Sequence, residues 1–402
     1  MAELNISPPP EVIQATIERF AVHSPYASID ISNPDKDIKI MSVYRGGGPR
    51  LSHYEKKISF DGWLLRQAEN NGISVKSEKV SRIWTGAAAG IEAAEKRTDY
   101  DLVALATGVN AKTIPIDGTA YAPPGTNIMA MSELYLGAAN VHSRLGNVAH
   151  AFLIPHSGMI FGTLVPKGDF VNVSVLSSSE YPVSIADFLN YDVIKEILPP
   201  HYEIACGCRP RTAFTAAKNY YADRFVAVGD AAVSRLYKDG IGSSLTMARA
   251  AAHTAIYHGV SRRDWQRRYR PYYKNMRWNN QWGHLLFSIN NKVKESRVFI
   301  LAQQRLIGDE QEKEAERQPF TQAAWGMFTG RYSYGSIAKK IFGFLSLIRL
   351  MSALLKECWG NLSSVKEADP PRKLYVGGRK VLILGSGFGG AYTLRHLVNS
   401  TN

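Results

Sequence analysis

A carboxylate and a cluster of glycines share the most informative stretch of this sequence. The apolar run Phe225-Val226-Ala227-Val228 leads into Gly229-Asp230-Ala231-Ala232, and Gly240-Ile241-Gly242-Ser243 follows before an alanine-rich segment that reaches Tyr257. A buried strand ending in Gly-Asp brings its carboxylate to the carboxyl end of a sheet, where it can accept hydrogen bonds from ribose hydroxyls. Gly240 and Gly242 let the backbone approach a ligand closely, and a helix starting beside them points amide hydrogens at phosphate or at an electron-rich ring. An ordinary strand, turn and helix would also carry Gly229 and a surface Asp230; the glycine pair and helix at this spacing favour the cofactor site. His156, His253 and His284 have no partner pattern, so no catalytic base is assigned.

The elements that must position these groups can be read from periodicity. Residues 60–70 carry Phe60, Trp63, Leu64 and Gln67 at helical spacing, and residues 101–106 form an apolar run of strand length stopped by Thr107-Gly108. With the strand at 224–228 and a helix over 242–257, this alternation predicts a parallel α/β sheet. Residues 150–155, 159–166 and 170–176 are short β-rich runs, the last two joined across Lys167-Gly168-Asp169, and predict an antiparallel meander inserted into the nucleotide-binding domain. A short helix is expected over residues 11–20 and an amphipathic one over 336–359. The basic cluster from Arg262 to Arg277 is interleaved with Trp265, Tyr269, Tyr272 and Tyr273 and reads as a solvated helix or one facing anionic lipid. No nucleic-acid-binding signature accompanies it. After a linker at 363–378 containing Pro370-Pro371, residues 380–384 form an apolar strand that opens Gly385-Ser386-Gly387-Phe388-Gly389-Gly390 and a helix.

Composition narrows the function classes. The chain has 402 residues, 45% of them hydrophobic, and a formal charge of +13, which excludes disorder as a default and favours anionic partners. Three cysteines are too few for a disulfide framework, and Cys206-Gly207-Cys208 lacks a second cluster that would complete a zinc site, so no metal is expected. The polar, proline-rich start carries no secretory pattern and no run is long enough to span a bilayer. A cytoplasmic location is expected, with peripheral contact to an anionic membrane through residues 336–359 as one reading and a core-capping helix as the other.

Gly229-Asp230-Ala231-Ala232 with Gly240-Ile241-Gly242 resembles the second FAD signature of flavin monooxygenases, halogenases and geranylgeranyl reductases. Residues 99–110, containing Ala106-Thr107-Gly108, are similar to that group's strand near the adenosine half, and residues 161–169 to the reductases' substrate-domain strand and turn. Phe60-Asp61 and Leu64 resemble their helix, though Lys57 stands where the group carries arginine; Arg45 is read as structural, with a substitute for that arginine as the other reading. The resemblance covers residues 38–277. It implies an FAD-dependent oxidoreductase with cofactor contacts at Ala106, Thr107, Gly108, Gly229, Asp230, Gly240, Ile241, Gly242 and Ser243. It also implies a hydrophobic isoprenoid or quinone substrate and NADH or NADPH as donor. A ring-hydroxylating monooxygenase is the alternative, and an inactive, membrane-associated interaction module is a reading from another class.

These flavoproteins open with a strand, a glycine fingerprint and a helix that residues 1–38 do not supply, so the chain is expected to start inside the domain. Gly385, Gly387 and Gly390 have the dinucleotide-fingerprint spacing and resemble the opening of type II NADH dehydrogenases. A fused second domain standing apart from the main sheet is the favoured reading; the alternative folds residues 380–397 back to supply the missing unit. The expected organisation is a partial FAD-binding domain at 1–150, an antiparallel substrate domain at 151–215 and a second FAD-binding segment at 216–262. A helical basic region at 263–362, the linker at 363–378 and the second dinucleotide-binding opening at 379–402 complete it.

Overall fold

The computed structural model describes residues 7–363, apart from 36–37, 46–50, 52–57, 110–113, 156–157, 179–181, 238–239 and 315–316. The fold is mixed α/β, as the sequence predicts, and its two sheets of interest meet the expectation for residues 101–106 and 224–228. β8 (Val103–Leu105) pairs in parallel with β17 (Phe225–Ala227), Val226 opposite Ala104, and β16 (Tyr221–Ala222) adds antiparallel to β17 on its other side. β17 is wholly buried because Phe225, Val226 and Ala227 carry apolar side chains to both faces of the sheet. α5 (Gly240–Tyr257) covers it through Met247, Ala250 and Ala251, whose spacing places them on one helix face.

The larger sheet has eight strands. Its hydrogen-bonded path runs β14 (Glu203–Cys208), β10 (Thr126–Tyr135), β13 (Phe170–Ser177), β12 (Met159–Lys167), β11 (Val148–Phe152), β2 (Arg19–His23) and β3 (Ser28–Ser32), with β15 (Arg211–Ala213) paired to β10. The meander of β11, β12 and β13 is antiparallel as predicted, and Lys167 faces Phe170 across a two-residue turn in which Gly168 adopts φ +65°. The sheet recruits more of the chain than residues 151–176: β2 joins β11 in parallel and β10 joins β13. Residues 11–20 are therefore strand rather than the predicted helix, divided between β1 (Ile13–Ile17), which pairs with β4 (Ile40–Val43), and β2. Val12, Ile13, Thr16 and Ile17 are β-branched, and pairing with distant strands outweighs the local helical spacing. A further sheet of β7 (Lys96–Tyr100), β6 (Ala89–Ala93), β5 (Val80–Trp84) and β9 (Ile116–Asp117) flanks β8 in sequence.

Helices cover both faces of the eight-stranded sheet. On one, Phe188 of α3 (Ile185–Leu189) and Ile194 of α4 (Asp192–Ile197) pack on Phe152, Leu164 and Val173, with Val141 of α2 (Ala138–Arg144). On the other lie α8 (Arg297–Gln311) and α9 (Pro319–Thr329), where Trp325 meets Phe20 edge-on at 5.3 Å and Phe328 stacks on it at 5.4 Å. α1 (Phe60–Asn70) matches its predicted span. The basic segment forms α6 (Arg262–Asp264), a π turn and α7 (Arg270–Val293). Residues 336–359 are not one helix: Gly343, with φ −60° and ψ 146°, separates α10 (Tyr334–Phe342) from α11 (Phe344–Ser363). Leu350, Ala353 and Leu354 of α11 join the core, while its opposite face is exposed.

Candidate functional site

The predicted site residues gather where β8 and β17 end. β17 runs into a 3-10 turn at Gly229–Ala231, and β8 into Ala106 and Thr107, both exposed, then Gly108 at φ +63° with open space where a Cβ would stand. Asp230 is half-buried. Its two carboxylate oxygens would each lie 3.9 Å from a Cβ built on Gly240, so the acid sits against the first turn of α5, which already includes Gly240, Ile241 and Gly242. The first amides of a helix have no partner within it, so they and the Asp230 oxygens offer donors and acceptors side by side. That set matches a ligand carrying both hydroxyls and negative charge.

Two of the predicted contacts are better explained by packing. Gly229 is buried at φ +58°, and a Cβ there would stand 2.6 Å from the Ser244 hydroxyl, so this glycine lets α5 approach the strand end. Ser243 is buried and its Oγ accepts the Arg235 amide at 3.0 Å, so its hydroxyl already serves the packing of α5. Gly385, Gly387 and Gly390 lie outside the described residues, as do Lys57, His156 and the whole NADH dehydrogenase-like opening. Arg45 donates to both Asp61 oxygens at 2.8 Å, anchoring α1.

Two cavities adjoin these elements. A groove of about 1420 Å³ begins at Gly242 and Ser243 and runs between α5, α7 and α10, with Lys39, Arg249, Lys339, Trp278 and Trp282 among its walls. Arg235 lines it too. Its guanidinium lies 4.2 Å over the Tyr334 ring and donates to the Gly330 carbonyl, while Nε and Nη2 are buried without a partner. The second cavity, about 360 Å³, is mostly apolar and lies between the large sheet and the helices, with Leu153, Ile160 and Phe161 on the sheet side and Phe287, Met327 and Phe328 opposite. The meander thus forms one wall of it. Among the described residues, no cluster of His, Cys, Asp and Glu could hold a metal, and no helix is long and apolar enough to cross a membrane.

Several polar groups in the interior carried no sequence signal, since their partners are distant in the chain. His23 Nε2 and His150 Nδ1 share a hydrogen at 2.9 Å with the rings stacked. Burial, and secondly His23, lower the His150 pKa to about 4. The neutral ring is therefore the folded form. Above the unfolded value of 6.5 its contribution to stability is complete; as pH falls from there toward 4 the unfolded chain takes up the proton first and stability is lost. Urea unfolding should show a decline on the order of 3 kcal/mol across that window, and His150→Gln should remove most of it. An unchanged pH profile in the variant would count against the buried neutral ring.

A small sheet whose β8–β17 pair is parallel and presents a Gly-Asp turn and a helix N-terminus, together with a large, mostly antiparallel sheet, is a mixed α/β fold shared with solved flavoproteins. A geranylgeranyl bacteriochlorophyll reductase-like protein from Thermoplasma acidophilum superimposes with TM-score 0.52 at 14% identity, over 88% of this chain and 86% of that one. A flavoprotein/dehydrogenase from Cytophaga hutchinsonii does so with TM-score 0.56 at 13% identity, over 85% of this chain and 83% of that one. The likeness is one of fold. No protein-family model and no curated protein sequence matches the chain.

Proposed function

We propose that the chain is an FAD-dependent oxidoreductase that reduces an isoprenoid or another activated double bond. The observation carrying this reading is the Asp230 carboxylate set against the first turn of α5 at the carboxyl end of β17. Asp230 would accept from cofactor hydroxyls, and the amides of Gly240, Ile241 and Gly242 would face its electron-rich parts. Gly108 and the exposed backbone of Ala106 and Thr107 would border the adenosine side. The flavin, when bound, supplies hydride chemistry; the protein supplies orientation and a dry surround.

The apolar cavity behind Phe161 and Phe287 has the size and lining of a site for a hydrophobic substrate chain. A reduced nicotinamide dinucleotide is the donor we propose, with the basic, tryptophan-lined groove as its dock, because positive charge and stacking surfaces suit a phosphorylated aromatic ligand. The exposed face of α11, including Phe344, Ile348, Met351 and Leu355 beside Lys356, favours peripheral contact with anionic lipid.

The deciding experiment is turnover of FAD-loaded protein with NADPH or NADH and a geranylgeranyl substrate under nitrogen. Product formed without oxygen supports the reductase. Product that appears only with stoichiometric oxygen consumption would replace it with a monooxygenase.

A further inference from the structure

Two unfilled surfaces meet at the carboxyl edge of the small sheet. β8 ends the order β16, β17, β8, so among the described residues its second edge pairs with no strand. Val103 N donates to Arg224 and Leu105 O accepts from Val228 on the β17 side, which turns the amide and carbonyl of Ala104 toward the open edge. Beside it, α5 carries Ile241, Leu245, Ala248, Ala252 and Ile256 along one face. Ile241 is 39% and Ile256 72% exposed, and both alanines are exposed as well. A free edge next to an apolar helix face is what a missing strand and helix would leave.

We infer that the occupant is this chain's own residues 380–397, with 380–384 adding parallel to β8 and the helix that follows Gly390 lying on the α5 face. Three observations converge on that segment. Its sequence has the apolar run, glycine spacing and apolar periodicity of one βα unit, of the size the two surfaces need. A parallel strand beside β8 would bring Gly385, Gly387 and Gly390 to the edge that already holds Gly108 and Asp230, whereas an antiparallel one would carry them to the opposite end. α11 ends at Ser363, and residues 364–379 can extend about 50 Å, which exceeds twice the radius of gyration of about 21 Å expected for a domain of this size. Ala248 and Ala252 would let the incoming helix come close at its glycine-rich start.

Hydrogen exchange of the full chain without added flavin tests this apart from the cofactor reading. Amides of residues 103–106 and of α5 should exchange at least about tenfold more slowly in the full chain than in a version ending at residue 378. Ile256→Asp, at an exposed position the rest of the fold tolerates, and Leu382→Asp should each raise full-chain exchange to the truncated rate. Equal rates in the full and shortened chains, or rates unmoved by both substitutions, would overturn the proposal. Protection that rises with protein concentration alongside a dimer would overturn it too, giving the surface to the tail of a second copy.

Discussion

Asp230→Ala is expected to weaken FAD retention about tenfold to a hundredfold. A charged acceptor facing a hydroxyl contributes about 1.5–3 kcal/mol, which converts to that range in Kd. Because Asp230 is half-buried at the edge of the sheet and its neighbours Ala231, Ala232 and Val233 hold the turn in the core, the unfolding midpoint should barely move. Fluorescence titration with FAD on purified wild type and variant checks both points, and Asp230→Asn should fall between them. Unchanged flavin affinity would remove Asp230 from the site.

The second large effect is structural. Lys167 and Glu133 form an ion pair whose side chains are each 10% exposed, and the ammonium also lies 4.3 Å from the Tyr44 ring centre. Removing one partner of such a pair strands a charge in the interior, so Lys167→Ala should cost about 3–5 kcal/mol. Replacing both, as Glu133→Leu with Lys167→Met, should recover most of the loss because neither charge then lacks a partner. Denaturant unfolding of the two variants measures this. A double variant as unstable as the single one would show that the pair does more than neutralise itself.

Legibility followed sequence distance. The strand, Gly229, Asp230 and the first turn of α5 lie within one short segment, so local pattern and turn chemistry were enough to place them. That residues 101–106 and 224–228 share a sheet follows from two apolar runs of strand length, but the register that sets Val226 opposite Ala104 does not. The helical spacing of residues 11–20 misleads because their pairing is decided by β11 and β4, far along the chain. For the same reason His23 with His150 and Arg235 with Tyr334 were invisible: no spacing rule links such positions. Ser243 matches its motif, yet only the structure reveals that its hydroxyl accepts the Arg235 amide.

The parallel pairing of β2 with β11 bears on how the molecule is made. β2 emerges from the ribosome early, but its neighbour is about 130 residues behind it, and Phe20 is covered only when Trp325 and Phe328 arrive. Contacts of such long separation slow folding, and they leave an apolar strand waiting during synthesis. Nascent chains released before residue 328 would carry a bare sheet face and depend on chaperones, so premature termination should yield aggregates rather than a smaller folded protein.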